Sequence, residues 1–105
     1  MDPYIQVLTT TDSKEHAEQL AAAAVDARLG ACAQIVGPIT SVFRWRGAVE
    51  TETEWQVVIK TRADHYPALE RRLREVHTYE VAEIIAVPIL AGAADYLQWI
   101  TDEVR

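Results

Sequence analysis

The chain has 105 residues, half hydrophobic and a quarter charged, which is the composition of an ordinary globular domain spanning residues 1–105. A net charge of −6 argues against nucleic acid or an anionic membrane as a partner, because both need a basic face. No apolar run is long enough to span a membrane, and the only cysteine, Cys32, cannot form an intrachain disulfide. Residues 1–8 lack a signal-peptide pattern, so we expect a cytoplasmic protein.

The first third of the chain predicts a short strand followed by a helix. Asp12 is expected to be the helix N-cap, with Glu15 completing a capping box. The helix is predicted to continue to Leu29, with Gly30 at its C-terminal cap. Its buried stripe consists of small and aliphatic residues at helical spacing: Ala17, Leu20, Ala21, Ala24, Val25 and Leu29.

The stretch from Ala31 to Thr61 predicts two long antiparallel strands, because its residues alternate with a period of two. Gly37-Pro38 interrupts the first strand and predicts a bulge. Placing Trp45 opposite Val49 puts the apolar residues on one face, so residues 46–48 are expected to form a three-residue turn.

In this register Arg44 faces Glu50 across the hairpin. Both strands are longer than the usual five or six residues. Trp45 and Trp55 are therefore expected to be buried against other subunits.

The second half of the chain predicts a helix, a strand and a final helix. Asp64 is expected to cap the first of these helices, Pro67 to lie in its first turn, and His77 to end it. Residues 83–90 predict a buried strand, which Pro88 closes or places at a sheet edge, and residues 93–104 predict the last helix. The order βαββαβ is that of an α+β, ferredoxin-like sandwich, here with a long hairpin and a C-terminal helix.

Four segments resemble the CutA family of divalent-cation tolerance proteins and together cover essentially the whole chain: ARLGACAQIVGPITSVFRWRGAVE, WQVVIKTRADHYPALERRL, HTYEVAEIIAVPI and DYLQWI. Proteins of that family are ferredoxin-like homotrimers whose long hairpins pair edge to edge between subunits. The resemblance therefore implies a homotrimer that binds copper, as Cu(II), or another divalent metal.

The chain departs from the family pattern near the implied site. The family motif usually reads His-Pro-Tyr-Glu-x-Pro-Glu, whereas Thr78 and Ala82 replace its prolines here. Some copper-linked bacterial members have a cysteine where this chain has Thr9 or Thr10, and Val76 replaces a second histidine. These differences weaken the transfer of a copper site to this chain.

The densest set of potential ligands follows the second helix and consists of His77, Tyr79, Glu80 and Glu83. Imidazole with carboxylate suits zinc or copper. Their spacing is no standard metal signature. In the alternative interpretation, His77 caps the helix and the two glutamates are solvated or paired with Lys60 or an arginine.

Three further residues are candidates for a ligand pocket. Lys60 is expected to hold a small anion in an intersubunit cleft, or to pair with Glu54 or Glu83. Trp45 and Arg44 are candidates to line the same cleft, although aromatic residues on a strand face more often belong to a core or an interface.

Cys32 and the remaining histidines have simpler alternatives. As a thiolate, Cys32 would suit Cu(I), but a buried cysteine more often packs as a small hydrophobe. His16 and His65 stand at helix starts among charged residues and are expected to be exposed.

No nucleophile with a base partner and no phosphate-binding glycine loop is visible, so we expect a binding protein and not an enzyme. The leading hypothesis is a trimeric, cytoplasmic, metal-binding tolerance protein. The alternative, by fold analogy alone, is a PII-like trimeric sensor of small ligands or an interaction scaffold without metal dependence. The short turn at 46–48 disfavours a PII-type sensor, which needs a long mobile loop.

Overall fold

The computed structural model describes residues 3–105, which form one antiparallel sheet of four strands with the order β2-β3-β1-β4, together with three α-helices. The elements are β1 Tyr4–Thr11, α1 Lys14–Asp26, β2 Cys32–Trp45, β3 Ala48–Arg62, α2 Tyr66–Val76, β4 Ile84–Pro88 and α3 Ala94–Glu103. This confirms the predicted ferredoxin-like architecture. Residues 1 and 2 of the predicted domain lie outside the described residues. Within residues 3–105, no helix is long and apolar enough to cross a membrane.

The main core lies between α1, α2 and one face of the sheet. Alternate residues of β1 and β3 point towards the helices and are buried, because successive side chains of a strand point to opposite faces. The central members of this core are Val7, Leu20, Val57, Ile59, Leu69 and Leu73. A smaller cluster of Ala31, Ile100 and Val104 holds α3 against the rest of the domain.

Both predicted ends of α1 were wrong. Ser13, not Asp12, is the N-cap, because its hydroxyl accepts the backbone N–H of His16 at 3.1 Å. The helix ends at Asp26, and the chain leaves it through Arg28, whose φ is 60°. Arg28 thus takes the left-handed position that the sequence had assigned to Gly30.

The hairpin turn has two residues and not three. Trp45 pairs with Ala48, and Arg46 and Gly47 both have positive φ, 49° and 84°. Positive φ at both central residues is typical of the type I′ turn, whose twist matches that of the flanking strands. Placing Trp45 opposite Val49 was therefore wrong by one residue.

The shorter turn shifts the pairing within residues 39–54 by one residue from the predicted register. Arg44 pairs with Val49 and Phe43 with Glu50, so the predicted Arg44–Glu50 pair does not form. Apolar and charged side chains consequently share both faces of the hairpin, and Val42 and Val49 are 67% and 61% exposed.

The predicted bulge at Gly37-Pro38 is confirmed by a shift of register between Val36 and Ile39. A Cβ on Gly37 would lie 2.5 Å from Cδ1 of Trp55, so the Trp55 ring packs directly on the glycine. Pairing of β1 with β3 ends at Thr11 and Trp55. Beyond that point β2 and β3 pair only with each other, and we call residues 39–54 the arm.

Two expectations for the second half of the chain were also wrong. Asp64 lies in a short 3-10 helix, Ala63–His65, and α2 starts after His65 without a side-chain cap, although Pro67 does lie in its first turn. The β4 strand is a largely exposed edge, not a buried strand, and it ends at Pro88.

We expect Gly37→Ala and Gly47→Ala to destabilise the protein for different reasons. At Gly37 the cost is overpacking, roughly 1–3 kcal/mol. Nothing lies within 4 Å of the Cβ position at Gly47, so its cost is conformational, about 1 kcal/mol. Urea denaturation at one protein concentration measures both.

A Trp55→Leu background separates the two causes. Removing the indole should abolish most of the Gly37→Ala cost and leave the Gly47→Ala cost unchanged. An undiminished Gly37→Ala cost in that background would show that the indole contact is not responsible.

Candidate functional site

The segment between α2 and β4, residues 77–83, has neither helix nor strand structure and carries most of the predicted ligands. His77 is the C-cap of α2, and its backbone N–H donates to Leu73 O at 2.8 Å. Pairing of β1 with β4 starts only at Thr9 and Ile84. The carbonyl of Thr10 is therefore available to a side chain from the 77–83 segment.

Both ring nitrogens of His77 are used inside the chain. Nε2 lies 2.9 Å from Thr10 O, and Nδ1 accepts the backbone N–H of Tyr79 at 3.1 Å. A carbonyl only accepts hydrogen bonds, so Nε2 must carry the proton. His77 is thus the neutral Nε2–H tautomer and bridges β1 to the 77–83 segment.

Two more side-chain contacts hold the segment. The hydroxyl of Tyr79 donates to Glu54 Oε2 at 2.7 Å, and Glu54 is only 7% exposed. Arg46, at the hairpin turn, donates to Glu80 Oε2 at 2.7 Å, with both side chains exposed. The Arg46 guanidinium also lies over the Trp45 ring, 5.1 Å from its centroid.

Burial sets the proton affinities at this site. It lowers the pKa of His77, outweighing the hydrogen bond to Thr10 and the negative charges of Asp12 and Glu54, which favour the protonated ring. Burial and the hydrogen bond to Glu54 raise the pKa of the Tyr79 hydroxyl. At neutral pH these groups therefore stay as uncharged imidazole and phenol.

A cavity of about 350 Å³ lies between α2 and the 77–83 segment. Its lining combines charged, aromatic and aliphatic side chains: Glu70, Arg74, His77, Tyr79, Glu80, Val81, Ala82 and Ile84. The hydroxyl of Tyr66 donates a hydrogen bond to Glu70 Oε1 at 2.9 Å. Arg74 has no ion pair within residues 3–105.

Cys32 and Lys60 do not join this site. They pair with each other across β2 and β3, whereas Thr10 pairs with Gln56 nearer the arm. Lys60 donates to Gln34 and not to the predicted Glu54 or Glu83.

Cys32 is half-buried on β2. Its Sγ is 3.5 Å from the hydroxyl of Tyr96, and this contact, with burial, raises the pKa of Tyr96 to about 12. Of the predicted pocket residues on the hairpin, Trp45 approaches the site only through Arg46, and Arg44 stays exposed near the turn.

The donors of the 77–83 segment do not fit a metal ion within one chain in this arrangement. Among residues 3–105, no three His, Cys, Asp or Glu side chains are close enough to hold one. His77 offers no unused lone pair, and Glu80 is paired with Arg46. Glu83 is exposed and has no hydrogen bond or ion pair within the described residues.

Sequence reasoning missed the partners that hold the segment: Thr10, Glu54 and Arg46. It also misjudged His16, which is 8% exposed and packs edge-on against His77 with ring centroids 5.7 Å apart. The available signal was helical spacing, because His16 lies one turn before Leu20 and two turns before Ala24, both on the inner face of α1.

A family model described as "CutA1 divalent ion tolerance protein" matches residues 5–103. The chain belongs to the CutA1 family. It is 41% identical over 96 residues to the divalent-cation tolerance protein CutA of Thermus thermophilus, covering 91% of this chain and 93% of that protein. It is 42% identical over 91 residues to human protein CutA, covering 87% of this chain and 51% of that protein, so the chain matches about half of the human relative.

Solved CutA structures have the same fold. The divalent cation tolerance protein (Cut A1) of Thermus thermophilus superimposes with a TM-score of 0.94 at 38% identity, covering 97% of this chain and 99% of that chain. A CutA of Archaeoglobus fulgidus, named a periplasmic divalent cation tolerance protein, superimposes with a TM-score of 0.94 at 32% identity, covering 97% of this chain and 99% of that chain. An Arabidopsis thaliana relative, 37% identical over 103 residues (98% of this chain and 57% of that protein), is named chloroplastic.

We expect the stability of the protein to depend on the protonation of His77. Because its pKa in the folded chain is lower than the ordinary 6.5, the unfolded chain takes up a proton first as the pH falls. The contribution of neutral His77 is complete above about pH 6.5 and is lost as the pH drops towards the folded-state pKa.

Urea midpoints between about pH 7 and pH 5 check this expectation. The midpoint should fall more in the wild type than in His77→Gln, whose amide takes up no proton. Equal pH dependence in the two proteins would contradict it.

Proposed function

We propose that this chain is a homotrimeric, cytoplasmic divalent-cation tolerance protein that binds a divalent metal ion, with copper the leading candidate, through the 77–83 segment. The observation that carries the proposal is the placement of one imidazole and two exposed carboxylates on an irregular segment beside a cavity. Family membership and the names of its relatives support it.

The proposed ligands are His77, Glu80 and Glu83. Imidazole and carboxylate together suit Cu(II) and Zn(II). Glu83 is exposed. To bind a metal ion, His77 must first lose its hydrogen bond from Tyr79 N–H, and Glu80 must lose its ion pair with Arg46. Cys32 is not among the proposed ligands, because it lies at the other end of the sheet.

The exposed arm supports the homotrimer. In the arm, β2 and β3 pair with each other and are largely uncovered by the rest of the chain. The exposed apolar side chains of the arm are Val42, Phe43, Trp45 and Val49. The sheet face away from α1 and α2 also presents Val36, Ile85 and Val87. Closed cyclic assembly would cover such surfaces and strand edges.

The cavity favours a second candidate function, the binding of a small organic anion. Its volume falls within the range of ligand sites, about 300–1,000 Å³. Arg74 is its one cation without an ion pair in the part of the chain that the structure describes, and a guanidinium suits a carboxylate. This second candidate corresponds to the PII-like alternative, with a small organic anion as the ligand.

A calorimetric titration with Cu²⁺ tests the metal proposal. We expect Glu80→Gln and Glu83→Gln each to weaken binding at least about tenfold, because each removes an anionic donor. Glu18→Gln, an exposed position on α1, is the matched control and should bind as the wild type does. If all four proteins bind equally, the two carboxylates are not ligands.

Sedimentation equilibrium tests the assembly. The wild type should sediment at three times the 11.8 kDa chain mass. Val42→Glu should weaken the trimer, because a carboxylate would be buried in the proposed arm interface. Val25 was wrongly predicted to be buried and is 39% exposed, so Val25→Glu introduces the same charge at the surface of α1 and should leave the trimer intact. A monomeric wild type would exclude the assembly.

A further inference from the structure

The mismatch between the candidate ligands and their present contacts points to competition at one atom, Nδ1 of His77. We propose that closure of the 77–83 segment and metal binding at His77 exclude each other, so that a metal ion binds only to an opened segment. This inference rests on the proposed metal-binding function and adds its regulation by the segment.

The tautomer of His77 determines which atom is contested. A metal ion binds imidazole through a nitrogen lone pair, and the neutral ring has one such nitrogen. Nε2 carries the ring proton and donates it in a hydrogen bond to Thr10 O, so only Nδ1 has a lone pair. That lone pair accepts the N–H of Tyr79 at 3.1 Å. A metal at Nδ1 must therefore displace the main chain of the segment.

Every hydrogen bond that residues 78–83 make in the described part of the chain involves a side chain. Within residues 3–105, residues 78–83 make no backbone–backbone hydrogen bond outside regular structure. The hydrogen bonds and ion pair of the segment are Tyr79 N–H to His77, Tyr79 hydroxyl to Glu54, and Glu80 to Arg46, and the Tyr79 ring packs on the His77 ring with centroids 4.9 Å apart. So few contacts make an opened segment accessible without unfolding of the core.

The same contacts occupy the other donors. In the closed segment Arg46 holds Glu80, while Glu54 is buried and accepts the Tyr79 hydroxyl. Opening would release an imidazole nitrogen and a carboxylate together. This explains why the candidate ligands form no cluster in the arrangement that the structure shows for residues 3–105.

Competition has a quantitative consequence. When only the open form binds, the apparent dissociation constant equals the intrinsic one divided by the open fraction. Any change that weakens closure without touching a ligand must then tighten metal binding. An ordinary binding site would show no such gain.

Tyr79→Phe is the decisive variant. It removes the hydroxyl bond to Glu54 and keeps the backbone N–H, His77 and both candidate carboxylates. The net contribution of one hydrogen bond corresponds to about fivefold in an equilibrium constant, so Cu²⁺ affinity should rise about fivefold. Tyr4→Phe, which removes a tyrosine hydroxyl bonded to Thr101 elsewhere in the fold, is the matched control and should leave affinity unchanged.

Two further measurements make the test specific. In a His77→Ala background, Tyr79→Phe should no longer tighten Cu²⁺ binding. In metal-free wild type, ring ¹⁵N and proton NMR should show the Nε2–H tautomer of His77. Diamagnetic Zn²⁺ should then perturb Nδ1 of His77 and the amide of Tyr79 together.

The outcomes separate the inference from the proposed function. Tighter Cu²⁺ binding by Tyr79→Phe alone supports competition, including where the wild type binds too weakly to measure. If the wild type binds Cu²⁺ and Tyr79→Phe binds equally or more weakly, the competition is wrong and the metal function stands. If neither protein binds Cu²⁺ or Zn²⁺, the proposed function fails and the inference fails with it.

Discussion

The two strands of the hairpin continue after their neighbours have stopped, and this difference in length shapes the rest of the molecule. β3 has 15 residues, whereas β1 has 8 and β4 has 5. The helices can cover only the part of the sheet where all four strands lie side by side. The arm beyond Trp55 therefore keeps its apolar side chains exposed, and Thr10 keeps a carbonyl without a β4 partner. The arm and the candidate site both arise from strands that end early.

At the end of β1, side chains replace the missing strand. His77 supplies the hydrogen bond to Thr10 that β4 would otherwise have made, and Tyr79 supplies the partner of a buried carboxylate, Glu54. Leaving either group buried and unpaired would be costly. This structural duty explains why the most obvious metal donor of the sequence has both nitrogens occupied.

The fold was predictable from the sequence, because alternation along the strands and helical spacing are local patterns that burial enforces. The details that failed depend on backbone geometry or on distant partners. Arg46 adopts a positive φ, which sequence reasoning reserves for glycine, and this moved the hairpin register by one residue. Ser13 and Asp12 are both good caps by residue type, and the structure uses Ser13.

The candidate site was only partly predictable for the same reason. Its residues within 77–83 are neighbours in sequence and were found together. Glu54 and Arg46 come from the hairpin, distant in sequence, and only the tertiary fold brings them to the segment. A sequence read locally cannot show that Glu80 is neutralised by Arg46, and so it counted Glu80 as an available ligand.

The contact between Arg46 and Glu80 joins the two proposed features of this protein. Arg46 belongs to the turn of the arm, which is the proposed assembly surface, and Glu80 belongs to the proposed metal segment. If assembly fixes the arm where Arg46 meets Glu80, it also favours the closed segment. Coupling between two equilibria is reciprocal. A metal ion that opens the segment would therefore weaken assembly by the same free energy by which assembly weakens metal binding. An exposed ion pair is usually worth little by itself, and the coupling through this one contact is accordingly small. It grows only if subunit contacts bury the pair, because the same charges interact more strongly when water is excluded.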